Sequence, residues 1–236
     1  MDNSIENFKK LSSKEILDAS EIVYKDHYYN YIDDGITINE PIINTVKNGK
    51  IHNIDLIIGS NNDEYSLYFG GIADVDGWLN AEVSDKQKNK LTKLLSNIDD
   101  PIRKLDLLIT AKNFVCPSLL IAKTVNLSGG NSWVYQFNRV RDDPKALKYG
   151  AFHGAELPYV FDTHDEWLPT NDIDRKITEE VQSYWVQFSK TGNPNLEQKM
   201  WDPYSAQTNS TFIINEKSYS SSHPSYEICK IMEPSW

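Results

Sequence analysis

Residues 54–65 read Ile54-Asp55-Leu56-Ile57-Ile58-Gly59-Ser60-Asn61-Asn62-Asp63-Glu64-Tyr65, and this stretch decides the fold class. Ile54 to Ile58 is a short, nearly continuous apolar run stopped by Gly59. Such a run suits a strand buried on both faces, as in a parallel sheet. Ser60 to Asp63 then form a loop able to cap a helix starting near Glu64. In open α/β sheets the working residues stand just beyond the carboxyl ends of the strands, so Asp63 and Glu64 are placed to reach a crevice. They equally suit the N-terminal dipole of the next helix.

On the N-terminal side, Ser12 or Ser13 caps a helix running to about Tyr24, with Glu15 in its first turn. Pro41 opens a short helical turn ending near Asn48-Gly49. On the C-terminal side, Asp85 to Asn97 is helical in pattern. Asp99-Asp100-Pro101 opens a longer helix with Ile102, Leu105, Leu108 and Ile109 on one stripe, and Pro117 is expected to kink it. Ser132 to Phe137 is a second strand, with aromatics at period two. Asn171 to Lys190 is the clearest helix: Ile177, Val181, Tyr184, Trp185 and Phe188 share one face, and Gly192 stands just past its end. Thr211 to Ile214 is a last short strand. Strands alternating with helices predict an α/β sheet with helical crossovers, to which strands from elsewhere should add. No repeat, low-complexity tract or linker divides the 236 residues, so a single domain over 1–236 is expected.

Composition narrows the function classes. The formal net charge of −10 and pI near 5.0 disfavour phosphate backbones and anionic lipid, so neither nucleic acid nor a membrane is an expected partner. No apolar run in the sequence reads as membrane-spanning. Cys116 and Cys229 are too few for a disulfide framework and lack metal-ligand spacing. They read as reduced thiols, Cys116 buried on an apolar helix, in a reducing compartment. Met1 to Ser20 lacks an apolar signal core, which agrees with a cytoplasmic location if Met1 is the natural start.

The second candidate for chemistry is His153, in Gly150-Ala151-Phe152-His153-Gly154-Ala155-Glu156. Small neighbours leave an imidazole room for a substrate, although a histidine hydrogen-bonded for structure fits the same pattern. His153 and Glu156 stand three apart, but no third ligand supports a metal site, and no cofactor motif is present. His27, His52, His164 and His223 lie in polar stretches read as exposed. Asn126-Leu127-Ser128-Gly129-Gly130 lacks the glycine that a nucleophile elbow places before its serine.

Together these segments resemble the C-terminal half of a type B carboxylesterase, the group of para-nitrobenzyl esterases and cholinesterases. The family's acid stands in Gly-x-x-x-Asp-Glu-Gly, matched by Gly59 to Glu64, with Tyr65 replacing the last glycine. Its histidine stands in a pattern like His-x-x-Glu-Leu-x-x-Val-Phe, matched by His153 to Phe161. Trp185 to Pro194, ending Lys190-Thr191-Gly192-Asn193-Pro194, resembles the family's helix end. Trp201-Asp202-Pro203-Tyr204 resembles the segment that follows.

The resemblance implies part of an α/β-hydrolase fold, a partial and mostly parallel sheet with flanking helices. It implies ester hydrolysis through an acyl-enzyme, with Glu64 and His153 as acid and base of a Ser-Glu-His triad and no cofactor. The chain order in this fold is Ser, then acid, then His, and no G-x-S-x-G precedes Glu64 here. The expectation is therefore a fragment inactive by itself, to be completed by a separately encoded N-terminal half carrying G-x-S-x-G, with a small-molecule ester as substrate. A non-catalytic remnant or interaction module of the same fold is the alternative.

Overall fold

Caps written into the sequence bound most of the helices. A computed structural model describes residues 5–25, 32, 34–70, 72–164, 169–197 and 201–233, which fall into two compact units, 1–42 and 43–236. The first unit holds α1 (Ile5–Phe8) and α2 (Ser13–Val23). Ser12 is the cap of α2: its hydroxyl accepts from the Glu15 N–H while Glu15 reaches back to the Ser12 N–H at 2.8 Å. α3 (Ile42–Lys47) spans the boundary and follows Pro41.

The second unit is built on a four-stranded sheet: β1 (Leu56–Asn61), β2 (Ser132–Phe137), β3 (Ser210–Ile214) and β4 (Tyr219–Ser222), in spatial order 1-2-3-4. The first three strands are parallel and β4 is antiparallel to β3. β4 supplies the additional strand that the sequence left unassigned. Its helices are α4 (Val75–Glu82), α5 (Asp85–Leu94), α6 (Pro101–Thr110), α7 (Cys116–Leu127), α8 (Pro144–Tyr149), α9 (Leu157–Phe161), α10 (Asp172–Thr191) and α11 (Tyr226–Met232). α10 follows the expected pattern: Asn171 caps its start and Gly192, in the left-handed region at φ +73°, ends it.

Alternation along the strands divides the core between the two sheet faces. Ile58 and Val134 pack with Leu79, Leu91, Leu108, Leu119 and Met232 on one side. Ile57, Trp133, Tyr135 and Phe137 pack with Tyr159, Ile177, Val181 and Trp201 on the other. Trp201 is fully buried, donates through Nε1 to the Val134 carbonyl at 3.1 Å and stacks on Phe212.

Four expectations need correction. Gly59 does not stop β1, which begins at Leu56 and continues to Asn61. A side chain at Gly59 would land on the backbone oxygen and ring of Tyr135, so glycine allows β2 to come close. No α-helix starts near Glu64; a turn leads into a 3-10 helix of three residues, Ser66–Tyr68. Ahead of Pro117 the chain winds as a π-helix over Ala111–Val115. Pro117 offers no N–H and its ring crowds the carbonyl of residue 113, and a wider turn relieves both.

The fourth correction is chemical. Cys116 and Cys229, 113 residues apart, form a disulfide with Cα atoms 5.3 Å apart, fastening α7 to α11. Proximity across the fold, invisible in sequence spacing, brings the thiols together. Disulfides persist in oxidising compartments, so the cysteines no longer argue for a reducing one. Counted as one helical run, 101–127 is long and apolar enough to cross a membrane, but Leu105, Leu108, Leu119, Ala122 and Val125 turn into the core.

Candidate active site

β1 ends at Asn61, and the next four residues turn sharply at the carboxyl edge of the sheet. The N–H of Asn62 donates to the Phe137 carbonyl, and the N–H of Asp63 donates to the Ala151 carbonyl, both at 3.0 Å. The turn is thereby fastened to β2 and to the segment before His153. Glu64 points inward, its side chain 5% exposed. Its Oε1 accepts from the Asn61 N–H at 2.7 Å, and its Oε2 meets Nδ1 of His153 at 2.7 Å. Residues 89 apart in sequence are thus brought to hydrogen-bond distance.

Burial holds the Glu64 carboxyl above its ordinary pKa, and the hydrogen bonds from Asn61 and His153 offset only part of that rise. With Glu64 ionised, the neutral imidazole carries its proton on Nδ1, leaving Nε2 with its lone pair on the opposite side of the ring. The His153 side chain is 51% exposed, so that nitrogen can meet solvent or a substrate. Phe114, on the π-helix, packs against the imidazole at 5.4 Å between ring centroids and also touches Tyr65. Gly154, at φ +84°, turns the chain directly after the histidine toward α9.

Asp63, the other acid of the motif, faces elsewhere. Its Oδ2 accepts from the Ala151 N–H at 2.9 Å, and its Oδ1 pairs with Arg103. A side chain at Gly150 would strike this carboxylate. Arg103 also pairs with Asp106 at 3.1 Å, and Asp106 accepts from the Tyr65 N–H at 2.9 Å. Burial and the neighbouring Asp63 charge push Asp106 up to about 6. Glu156 accepts from the Asn61 side-chain amide, whose other bond goes to the Phe152 carbonyl at 2.7 Å. The roles of the Asn61 side chain, Arg103 and Asp106 could not be read in advance, because the contacts that tie them to the site span 40 or more residues: Asn61 to Phe152 and Glu156, Arg103 to Asp63, Asp106 to the Tyr65 N–H.

The remaining histidines among the described residues are not at the site. His164 is held between Arg141 and Thr178. His223 is buried, contrary to expectation, and Nδ1 accepts from the Ser225 N–H at 3.1 Å. His52 is exposed, and His27 lies outside the described residues. A cavity of about 280 Å³ opens beside the disulfide, walled by Leu119, Leu120, Tyr204 and Tyr226, but neither Glu64 nor His153 lines it. Chemically, an imidazole held through Nδ1 by a buried carboxylate is able to take up and release a proton at Nε2.

Comparison with known proteins identifies the family and the fold. The model of the carboxylesterase family matches residues 79–231, which includes His153 and begins after Glu64. The para-nitrobenzyl esterase of Bacillus subtilis is 28% identical over 197 residues, 78% of this chain and 39% of that protein. The crystal protein of Dictyostelium discoideum is 25% identical over 221 residues, 85% of this chain and 39% of that one. Among solved structures, a PNB esterase superposes with a TM-score of 0.76 at 23% identity, covering 96% of this chain and 49% of the other. A carboxylesterase of Geobacillus stearothermophilus does so with a TM-score of 0.76 at 20% identity, covering 96% and 50%. The fold is that of the α/β-hydrolase esterases. The chain spans about two-fifths of the length of these two curated relatives and half that of the solved structures.

Proposed function

The chain belongs to the carboxylesterase family, and from that membership we propose that Glu64 and His153 are the acid and base of a Ser-Glu-His triad hydrolysing small-molecule carboxylic esters. The hydrogen bond of 2.7 Å between Glu64 Oε2 and His153 Nδ1 carries this reading. The nucleophile comes from a segment bearing G-x-S-x-G, proposed as a separately encoded N-terminal half that docks on β1. Its serine Oγ attacks the ester carbonyl while Nε2 of His153 takes the hydroxyl proton. That proton then passes to the departing alcohol, and water repeats the sequence to release the acid. Glu64 fixes the tautomer and stabilises the imidazolium throughout. No step calls for a metal or an organic cofactor.

By themselves, these 236 residues are then inactive, because nucleophile and oxyanion donors supply several powers of ten in rate. The test is hydrolysis of a short-chain nitrophenyl ester by the chain alone and together with a nucleophile-bearing family half. Turnover only in the mixture, abolished by His153→Ala, is the expected result. Turnover by the chain alone that disappears in His153→Ala overturns the division of labour. A stable complex that stays inactive, or activity indifferent to His153→Ala, overturns the triad assignment.

A further inference from the structure

Asn61 is 1% exposed, yet its polar groups reach Glu64 and the loop that carries His153. Hydrogen bonds from β1 to β2 flank it: the Leu56 N–H donates to Asn131 and the Asn62 N–H to Phe137. Even-numbered residues of β1 therefore face β2, and the N–H of Asn61 points the other way. It goes to Oε1 of Glu64, the oxygen not used by His153. The side-chain Nδ2 uses both of its protons on the histidine loop. One goes to the carbonyl of Phe152, the residue before His153, and one to the carboxylate of Glu156, three residues after it.

We propose that Asn61 is a positioning residue for the proposed esterase reaction, setting the separation of the Glu64 carboxylate and the His153 imidazole from one rigid point at the end of β1. The argument rests on the triad reading above. The backbone N–H holds the acid for any residue at this position. The side chain is the part specific to asparagine, and it reaches residues on both sides of His153. Aspartate has the same shape but, when ionised, no donor for either partner, and its charge would oppose Glu156. Alanine leaves the Phe152 carbonyl and the Glu156 carboxylate without that donor, and the loop can move away from Glu64.

The chain itself reports this without any turnover. In long-range 1H–15N spectra the neutral His153 ring should be protonated on Nδ1 in the wild type, and should lose that preference in Glu64→Gln. Asn61→Ala and Asn61→Asp should remain folded with reduced stability and shift the ring toward the Nε2–H form that free histidine favours. Asn61→Asp combined with Glu156→Gln reverses donor and acceptor and should restore part of the Nδ1–H population. Wild-type tautomer in a folded Asn61→Ala overturns the proposal. So does failure of both single variants to fold, which would make Asn61 a general core residue. In the reconstituted enzyme, kcat should fall about 10- to 100-fold with KM little changed. An inactive wild-type mixture would sink the esterase reading while the spectra still decide the role of Asn61.

Discussion

β4 closes one side of the sheet with Tyr219-Ser220-Ser221-Ser222, whereas β1 bounds the other with Leu56-Ile57-Ile58-Gly59-Ser60-Asn61. β4 is four residues long, antiparallel, mostly exposed and rich in serine. That is how proteins end a sheet without inviting further pairing. β1 is a parallel strand with apolar residues on both faces, the composition of a strand inside a sheet. The odd-numbered N–H groups of Ile57 and Gly59 point away from β2, and β1 pairs with no further strand among the described residues. Ser60 Oγ and Asn61 Oδ1, both buried at its carboxyl end, have no hydrogen-bond partner among the described residues. One side is finished and the other is shaped for a neighbour, which is why the proposed nucleophile-bearing half is placed on β1.

The largest expected effect is a proline at Ile57. It removes an N–H on the open side and leaves the bonds to β2, so Ile57→Pro should keep the chain folded and abolish docking of the second half. Co-purification with that half reads the result, and an intact complex would move the docking site away from β1. The disulfide comes next, because it joins α11, beyond β4, to α7, which lies against β1 and β2. Cys116→Ser with Cys229→Ser should cost about 2–5 kcal/mol in denaturant unfolding, without loss of docking if the two sides are independent.

The two sides also differ in acid. Burial holds His223, beside β4, down to about 4. Its neutral form is favoured in the folded state, so its contribution is complete above about 6.5 and is lost as pH falls toward 4, by about 3 kcal/mol at most. Asp106, beyond β1, is raised to about 6 and contributes with the opposite sign: its protonated form is favoured, so stability falls as pH rises from about 4 to 6. Stability-versus-pH curves of His223→Asn and Asp106→Asn should therefore change slope in opposite directions between pH 4 and 6. Equal slopes would remove this contrast. The smallest effect belongs to Ser221→Lys on β4, expected within about 0.5 kcal/mol and neutral for docking.

What the sequence disclosed follows from the range of each interaction. α10 was legible because Asn171, its apolar stripe and Gly192 are local signals, and β2 because its aromatics alternate. Glu64 and His153 were legible through motifs whose residues are neighbours in sequence. The short helices α4, α8, α9 and α11 hold too few turns to show a period. Their amphipathic pattern is set by what they pack on. The Cys116–Cys229 bond, the Asn61 clamp and the Arg139–Asp174 pair, buried at 2.8 Å, depend on partners that only the folded chain assembles. The π-helix had a sign in Pro117, but the expected response was a kink rather than a widened turn.

The disulfide also changes how the chain would answer to force. Tension applied at the two ends passes from Cys116 to Cys229 through sulfur, skipping the 113-residue separation between them. At full extension that is roughly 400 Å of polypeptide that cannot lengthen until the bond is cut. β2, β3, β4 and His153 lie inside this covalent loop, whereas β1 and Glu64 lie outside it. Pulling would therefore part the carboxylate from the imidazole while most of the sheet stays sheltered.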